Sequence, residues 1–340
     1  MPPEISTSYG AGPQDPSPSE CGDWFRFGTY NLLDLQMPRT PAQWARYELI
    51  VAVITEVFRE RAGALAVQEI VGDTRTQASR VLCMMADDTG LRCKAVPADR
   101  TKPVTALASS QPRGRGVVRH RVGMLWTSEI QPVPGGMRAY DGGPDFWHGM
   151  LTVLLDAGGS VPVKWAAYHA DPFRPHKRFD EAHRVLSAFQ DERVPGAVGA
   201  DWNSISADRR PNGQLYDEDP YTDQRHRKLR YQVKWNAGDP DAKPTADRGA
   251  TEVLRREPGG LHDIAAVLDV PWEPSCGHWV DEHGCTDDFG SRRIDTIRAT
   301  AELALVARAH TTHRSPESEK ASDHVPVTSD FDLAEVEEIA

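Results

Sequence analysis

The sequence predicts a mixed α and β protein made of stacked layers of sheet and helix. Short apolar runs of strand length alternate with stretches in which apolar residues recur at helical spacing. No internal repeat is present, so layers are expected rather than a bundle or an array. Two of the early apolar runs end on polar residues, the pattern of buried strands with polar residues at their C-terminal ends.

The elements follow in order. Phe25 to Tyr30 reads as a strand ending at Asn31, and Ala64 to Val67 as another ending at Gln68 and Glu69. A helix lies between them: Thr40 is its N-cap, Pro41 occupies the first turn, and Trp44, Tyr47, Val51, Ile54 and Phe58 recur down to Gly63. Thr74 to Asp88 repeats the helical pattern through Ala78, Val81, Leu82 and Met85. Val117 to Trp126 and Val161 to Tyr168 read as strands. Phe179, Ala182, Val185, Leu186 and Phe189 give a helical face, and Ala197 to Ala200 a strand ending on Asp201. From Ser204 to about Gly260 the chain is polar, which predicts a long surface excursion inserted in the domain. Ile294 to Ile297 and Val325 to Val327 are the last strand fragments.

The chain of 340 residues is 39% hydrophobic and 26% charged, enough to bury a substantial core. The expected organisation is a disordered tail at 1–22, a domain over 23–332 with the polar insertion at about 204–260, and a C-terminal tail at 333–340. The opening residues are rich in Pro, Ser and Gly and lack the basic start and apolar run of a signal peptide. No run approaches the length of a membrane span. Five cysteines without a CxxC pair argue against a disulfide framework and fit a cytoplasmic setting. Cys276, His278, His283 and Cys285 could hold zinc, although the spacing is unusual for a structural site. The net charge of −11 opposes bulk attraction to nucleic acid and leaves room for a local basic surface.

Six short motifs carry the chemistry. Five set polar groups at strand ends: Thr29 to Asn31 (TYN), Val67 to Glu69 (VQE), Tyr168 to Asp171 (YHAD), Gly199 to Asn203 (GADWN) and Ser322 to His324 (SDH). The sixth, Arg293 to Ile297 (RIDTI), embeds Asp295 in an apolar strand. Any one alone reads as a turn residue or an ordinary histidine.

Together and in this order they resemble the endonuclease/exonuclease/phosphatase family, the DNase I-like metal-dependent phosphoesterases, from about Phe25 to Val327. The resemblance implies an α+β fold: a four-layer α/β/β/α sandwich, two mainly antiparallel sheets packed face to face with outer helices. It also implies Mg²⁺ or Mn²⁺ held by Glu69 and extended by Asn31 and Asp323, since hard cations favour oxygen ligands. Asp201 matches the base that activates water, and Asn203 the residue that positions nucleophile and phosphate. His324 would bind or protonate phosphate oxygens with Asp295 fixing its tautomer, and His169 would be a second phosphate-binding imidazole. The sequence departs from the family's usual Gly-Asp-Phe-Asn or Gly-Asp-Leu-Asn at Ala200-Asp201-Trp202-Asn203, which keeps both polar groups. The Arg-Ile-Asp order at residues 293–295 is closer to the nuclease branches than to the inositol phosphatases.

The substrate is read from the basic stretches. Arg113, Arg115, Arg119, His120 and Arg121 form one, and Arg225 to Lys234 another, containing Arg227 and Lys228 with Tyr231 and Trp235 interleaved. Arg174, His176, Lys177 and Arg178 follow His169. Arg174, Lys177, Arg178, Arg121, Arg227 and Lys228 are accordingly the candidate substrate contacts, with DNA as the leading substrate and partner. A small-molecule or lipid phosphodiesterase or phosphatase is the alternative, with Tyr140 to Met150 its one candidate apolar loop. A non-catalytic binding module is the third reading.

Overall fold

The computed structural model describes residues 24–110, 119–190, 194–221, 231–234, 238–239, 241–256, 258–280, 284 and 290–336. The expected tail at 1–22 and the basic residues Arg113, Arg115, Arg227 and Lys228 lie outside the described residues, as do Trp235, His283 and Cys285.

The chain alternates strands and helices: β1 (Phe25–Leu35), α1 (Pro41–Val57), β2 (Gly63–Val71), α2 (Arg75–Thr89), then the short β3 (Lys94–Ala95), β4 (Val104–Thr105) and β5 (Leu107–Ser109). Next come β6 (His120–Trp126), β7 (Gln131–Tyr140), β8 (Met150–Asp156), β9 (Val163–His169), α3 (Pro175–Ser187) and β10 (Gly196–Asp201). The last third holds β11 (Val233–Lys234), β12 (Thr245–Ala246), α4 (Gly249–Leu254), β13 (His262–Asp263), α5 (Ile264–Val267), β14 (Asp295–Ala299), α6 (Ala301–Leu305), β15 (Ala307–Thr312), α7 (Pro316–Ala321) and β16 (Val327–Phe331).

Two six-stranded sheets result, in the orders β15-β16-β1-β2-β6-β5 and β13-β14-β10-β9-β8-β7. Each is antiparallel except for one central parallel pair, β1 with β2 and β9 with β10. Both parallel crossovers run through a helix, as parallel neighbours require. No helix among the described residues is long and apolar enough to cross a membrane.

Side-chain alternation explains the layering. In β1 and β2, Phe25, Phe27, Ala64 and Ala66 point between the sheets, whereas Tyr30, Leu32, Leu65 and Val67 meet the buried stripe of α1 and α2. In β9 and β10, Trp165, Ala167 and Ala197 point inward, and Tyr168, Val198 and Ala200 meet α3 and α4. These central strands are covered on both faces, so their sequence reads as largely apolar runs, interrupted by Arg26 in β1 and Lys164 in β9. Trp165 fills the middle, stacked on Phe25 at 4.5 Å between ring centroids. Toward the functional edge the sheets close up: a Cβ on Gly199 would lie 2.9 Å from that of Thr29, so only glycine fits. Gln68 spans the gap, donating to Thr29 Oγ1 at 3.1 Å and to the Gly199 carbonyl at 3.4 Å.

α1 and α2 start where expected. Thr40 and Thr74 cap them, each accepting from the backbone of a glutamine three residues on whose side chain reaches back. The buried stripe of α1 is Tyr47, Ile50, Val53, Ile54 and Val57; Trp44, expected on that face, is exposed, as is Phe179 on α3.

The stretch after Ser204 corrects the expectation of a surface excursion. Its described parts are largely folded into the molecule: Ser204, Ser206, Asp208, Tyr216, Asp217 and Tyr221 are buried, and α4 packs on α3. Arg293 explains how so polar a segment is held inside. Its guanidinium is bidentate to Asp217 (3.0 and 2.7 Å) and to Asp263 (3.1 and 2.6 Å), while Arg298 pairs with Asp208 at 2.7 Å. The expected C-terminal tail likewise begins inside, with Leu333 and Val336 in the inter-sheet core.

Candidate active site

The sequence-selected residues meet at one edge of the sandwich, where both sheets present strand ends. β1 loses register with β2 between Asn31 and Leu35, and β2 with β6 between Val67 and Ile70. Leu33, Asp34 and Glu69 adopt positive φ (46°, 51° and 62°), a conformation that non-glycine side chains hold only when their surroundings enforce it. These bulges turn Glu69 out of its ladder toward the second sheet.

Asn31 joins the two sheets. Its Nδ2 donates to Asp201 Oδ2 at 3.0 Å and to Glu69 Oε1 at 3.2 Å, while Oδ1 accepts from the Leu33 amide. Asn31 therefore lies between the Glu69 and Asp201 carboxylates and orients both. Asp201 ends β10 opposite Asp295, and its Oδ1 accepts from the Asn203 amide at 2.9 Å. Asn203, also at positive φ, donates its side-chain amide to the Ala170 carbonyl at 3.4 Å.

His169 ends β9, with Nε2 3.4 Å from Asp201 Oδ2 and 4.0 Å from Glu69 Oε1. Burial lowers its pKa, against the pull of Asp201 and Glu69, so the ring is held neutral. His324 lies across from it, Nδ1 2.6 Å from Asp295 Oδ2 and Nε2 4.0 Å from both Asp201 and Asp323. Burial disfavours its charged form, yet Asp295, Asp323 and Asp201 together lift its pKa well above the ordinary value. Ser275 steadies the pair by donating to Asp295 Oδ2 at 2.6 Å and accepting from the Asp295 amide. Ser322 donates to the Asn31 carbonyl at 2.7 Å and so ties the Asp323 and His324 loop to β1. Burial pushes the Asp323 carboxyl up to about 6, with Glu69, Asp201 and Asp295 adding to the rise and His324 opposing it.

The basic candidates divide. Arg121 is buried and donates to the Ser109 hydroxyl and the Gly72 and Arg119 carbonyls. Arg178 is buried too, bonded to the Asp171 and Tyr231 carbonyls and to Asp247. Both are structural cations, contrary to the expected substrate contact. Lys177 is half-buried and donates to the Pro144 and Asp145 carbonyls. Arg174 is half-exposed at the rim, braced by Asp171 and lying 4.2 Å over the Trp147 ring. Phe173 meets Tyr231 edge to face beside it. Within the expected zinc set, Cys276 donates to the Arg292 carbonyl and His278 pairs with that of Ser322.

Several neighbours carried no motif. His148 stacks on His169 at 4.1 Å, and His120 contacts both His148 and Asp34. Glu181, fully buried in α3, accepts from the Trp147 and Asp171 amides and the Tyr168 hydroxyl, fastening both rim loops. Burial raises its pKa to about 7. The folded protein thus retains a proton that the unfolded chain releases near pH 4.5. That contribution to stability is complete below pH 4.5 and is lost as pH rises through about 7. In urea unfolding at pH 5 and pH 8, Glu181→Gln is expected to gain on the wild type by up to about 3 kcal/mol at the higher pH.

The fold is that of the endonuclease/exonuclease/phosphatase proteins, the DNase I-like sandwich. An endonuclease/exonuclease/phosphatase from Beutenbergia cavernae DSM 12333 superposes over 92% of this chain and 72% of its own, at 18% identity and a TM-score of 0.57. One from Bacteroides vulgatus covers 91% and 98%, at 12% identity and 0.57. The human Nocturnin catalytic domain with bound sulfate anion covers 91% and 94%, at 11% identity and 0.52. No family model and no curated protein matches the sequence.

Proposed function

We propose that this chain is a divalent-metal-dependent phosphoesterase that cleaves DNA phosphodiester bonds by in-line attack of water. The observation that carries the reading is the position of Asp201, 3.0 Å from Asn31 and 3.4 Å from His169, facing the His324 and Asp295 pair. The donor set fits a hard dication: Glu69 and Asp323 would hold Mg²⁺ or Mn²⁺, which when bound supplies polarisation of a phosphoryl oxygen and stabilises the leaving oxygen.

Asp201 takes the proton of the attacking water as the new oxygen–phosphorus bond forms and the ester bond breaks. Asn31 and the Asn203 amide fix the Asp201 carboxylate, and Asn203 lines the position of nucleophile and phosphate. His324, charged through Asp295, donates to the phosphate oxygens, and the neutral His169 provides a second hydrogen bond.

The DNA assignment is supported by Arg174 on Trp147 with Phe173 and Tyr231 nearby, a cationic and aromatic rim of the kind that holds a phosphate backbone and stacks on bases. A small phosphate ester is the second reading, favoured by the charge of −11 and by the burial of Arg121 and Arg178. A lipid is disfavoured, because Phe146 and Met150 of its candidate loop lie in the core. Cys83, Cys93 and Cys276 are free thiols, which suits a cytoplasmic setting.

The test is cleavage of supercoiled plasmid, single-stranded DNA and RNA with Mg²⁺ or Mn²⁺. Cleavage is expected to disappear with EDTA and in Asp201→Ala and His324→Ala. Metal-dependent hydrolysis of small esters alone would transfer the assignment to the second reading.

A further inference from the structure

The bulges in β1 and β2 gather more donors than the proposed reaction uses. Asp34, Glu69 and His120 each bring one ligand atom within 4.8 Å of the others. His120 Nε2 contacts Asp34 Oδ1, and the Asp34 amide donates to Glu69 Oε2 at 3.0 Å, so the three are mutually oriented. His120 is held from behind by His148, 5.3 Å away edge to face.

Another imidazole faces the same spot: His169, only 3% exposed, directs Nε2 to within 4.0 Å of Glu69 Oε1 and 3.4 Å of Asp201 Oδ2. The other donor group of comparable spread, Asp201, Asp295 and His324, is buried throughout, whereas Asp34 is exposed and Glu69 and His120 are half-buried, so that an ion reaches them from solvent.

We propose that His120 is a metal ligand together with Asp34 and Glu69, so that the site takes a first-row transition ion such as Mn²⁺ in preference to Mg²⁺. Two carboxylates balance the charge of a dication, and one imidazole nitrogen suits manganese, iron or zinc, whereas magnesium takes oxygen ligands. The remaining coordination positions stay open to water and phosphate oxygens. The inference rests on the metal-dependent reading above and specifies the ion that this edge selects.

The experiment is Mn²⁺ binding to the full chain, measured calorimetrically and by pulsed electron paramagnetic resonance, which detects a directly bound histidine nitrogen. The wild type is expected to show nitrogen coupling. In His120→Asn the coupling should vanish and Mn²⁺ affinity fall on the order of tenfold or more, with Mg²⁺ affinity changed much less. Asp34→Asn should weaken Mn²⁺ binding in parallel. Mn²⁺ bound in a Glu69-dependent way without nitrogen coupling, or with coupling that survives in His120→Asn, overturns this proposal alone. No Mn²⁺ or Mg²⁺ binding, with Glu69→Gln indistinguishable from wild type, overturns both it and the metal-dependent reading.

Discussion

Asp201→Asn is expected to lower kcat for phosphodiester hydrolysis by about 10³-fold, the range in which a positioned general base contributes. The variant keeps the oxygen that accepts from the Asn203 amide, but it sets an NH₂ group against Asn31 Nδ2 where a carboxylate oxygen stood. Losing that buried hydrogen bond costs about 1–3 kcal/mol, a drop that a thermal melt registers without unfolding the protein. Retention of kcat within tenfold of the wild type would remove Asp201 as the base.

The largest expected effect on stability comes from a residue remote from the carboxylates. Arg293→Met takes the shared guanidinium from buried Asp217 and Asp263 and leaves Asp263 only the more distant Arg298, 3.7 Å away. Breaking such a buried network is expected to destabilise by about 3–5 kcal/mol, read as a lower denaturant midpoint at pH 7. Arg293→Met/Asp217→Leu should recover part of the loss, because one uncompensated carboxylate is then gone. An unchanged midpoint in the single variant would mean that the segment around Asp217 is not fastened to β14 through this guanidinium.

Much of the fold is legible in local sequence because its signals are local. Thr40 and Thr74 announce their helices through glutamines three residues away, and β1, β2 and β10 announce themselves as largely apolar runs. The meeting of Asn31, Glu69, His169, Asp201, Asp295 and His324 was also foreseeable, since each lies at or beside a strand whose order in the chain suggested a known architecture.

What stayed hidden depends on partners distant in sequence. Arg178 finds Asp247, 69 residues on, and Arg293 finds Asp217, 76 residues back, so neither pairing is legible in local sequence. The buried polar segment after Ser204 was misread for the same reason. β7 gave no alternation to detect, being broken by Pro132, Pro134, Gly135 and Gly136 at a register shift. Asp34 was missed, and His120 was read only as part of a basic stretch, because the paired bulges alone bring them to Glu69.

Gly199 and Gln68 give the edge a further property. Glu69 and Asn31 belong to one sheet, His169, Asp201 and Asp295 to the other, and the hydrogen bond from Asn31 to Asp201 crosses the seam. The proposed catalytic group is in effect a contact between two halves, assembled while they remain docked at the spacing a bare glycine allows. Turnover should therefore act as a gauge of that docking. A methyl group at Gly199 is expected to pry the halves apart and abolish the proposed hydrolysis while each sheet, taken by itself, keeps its strands in register.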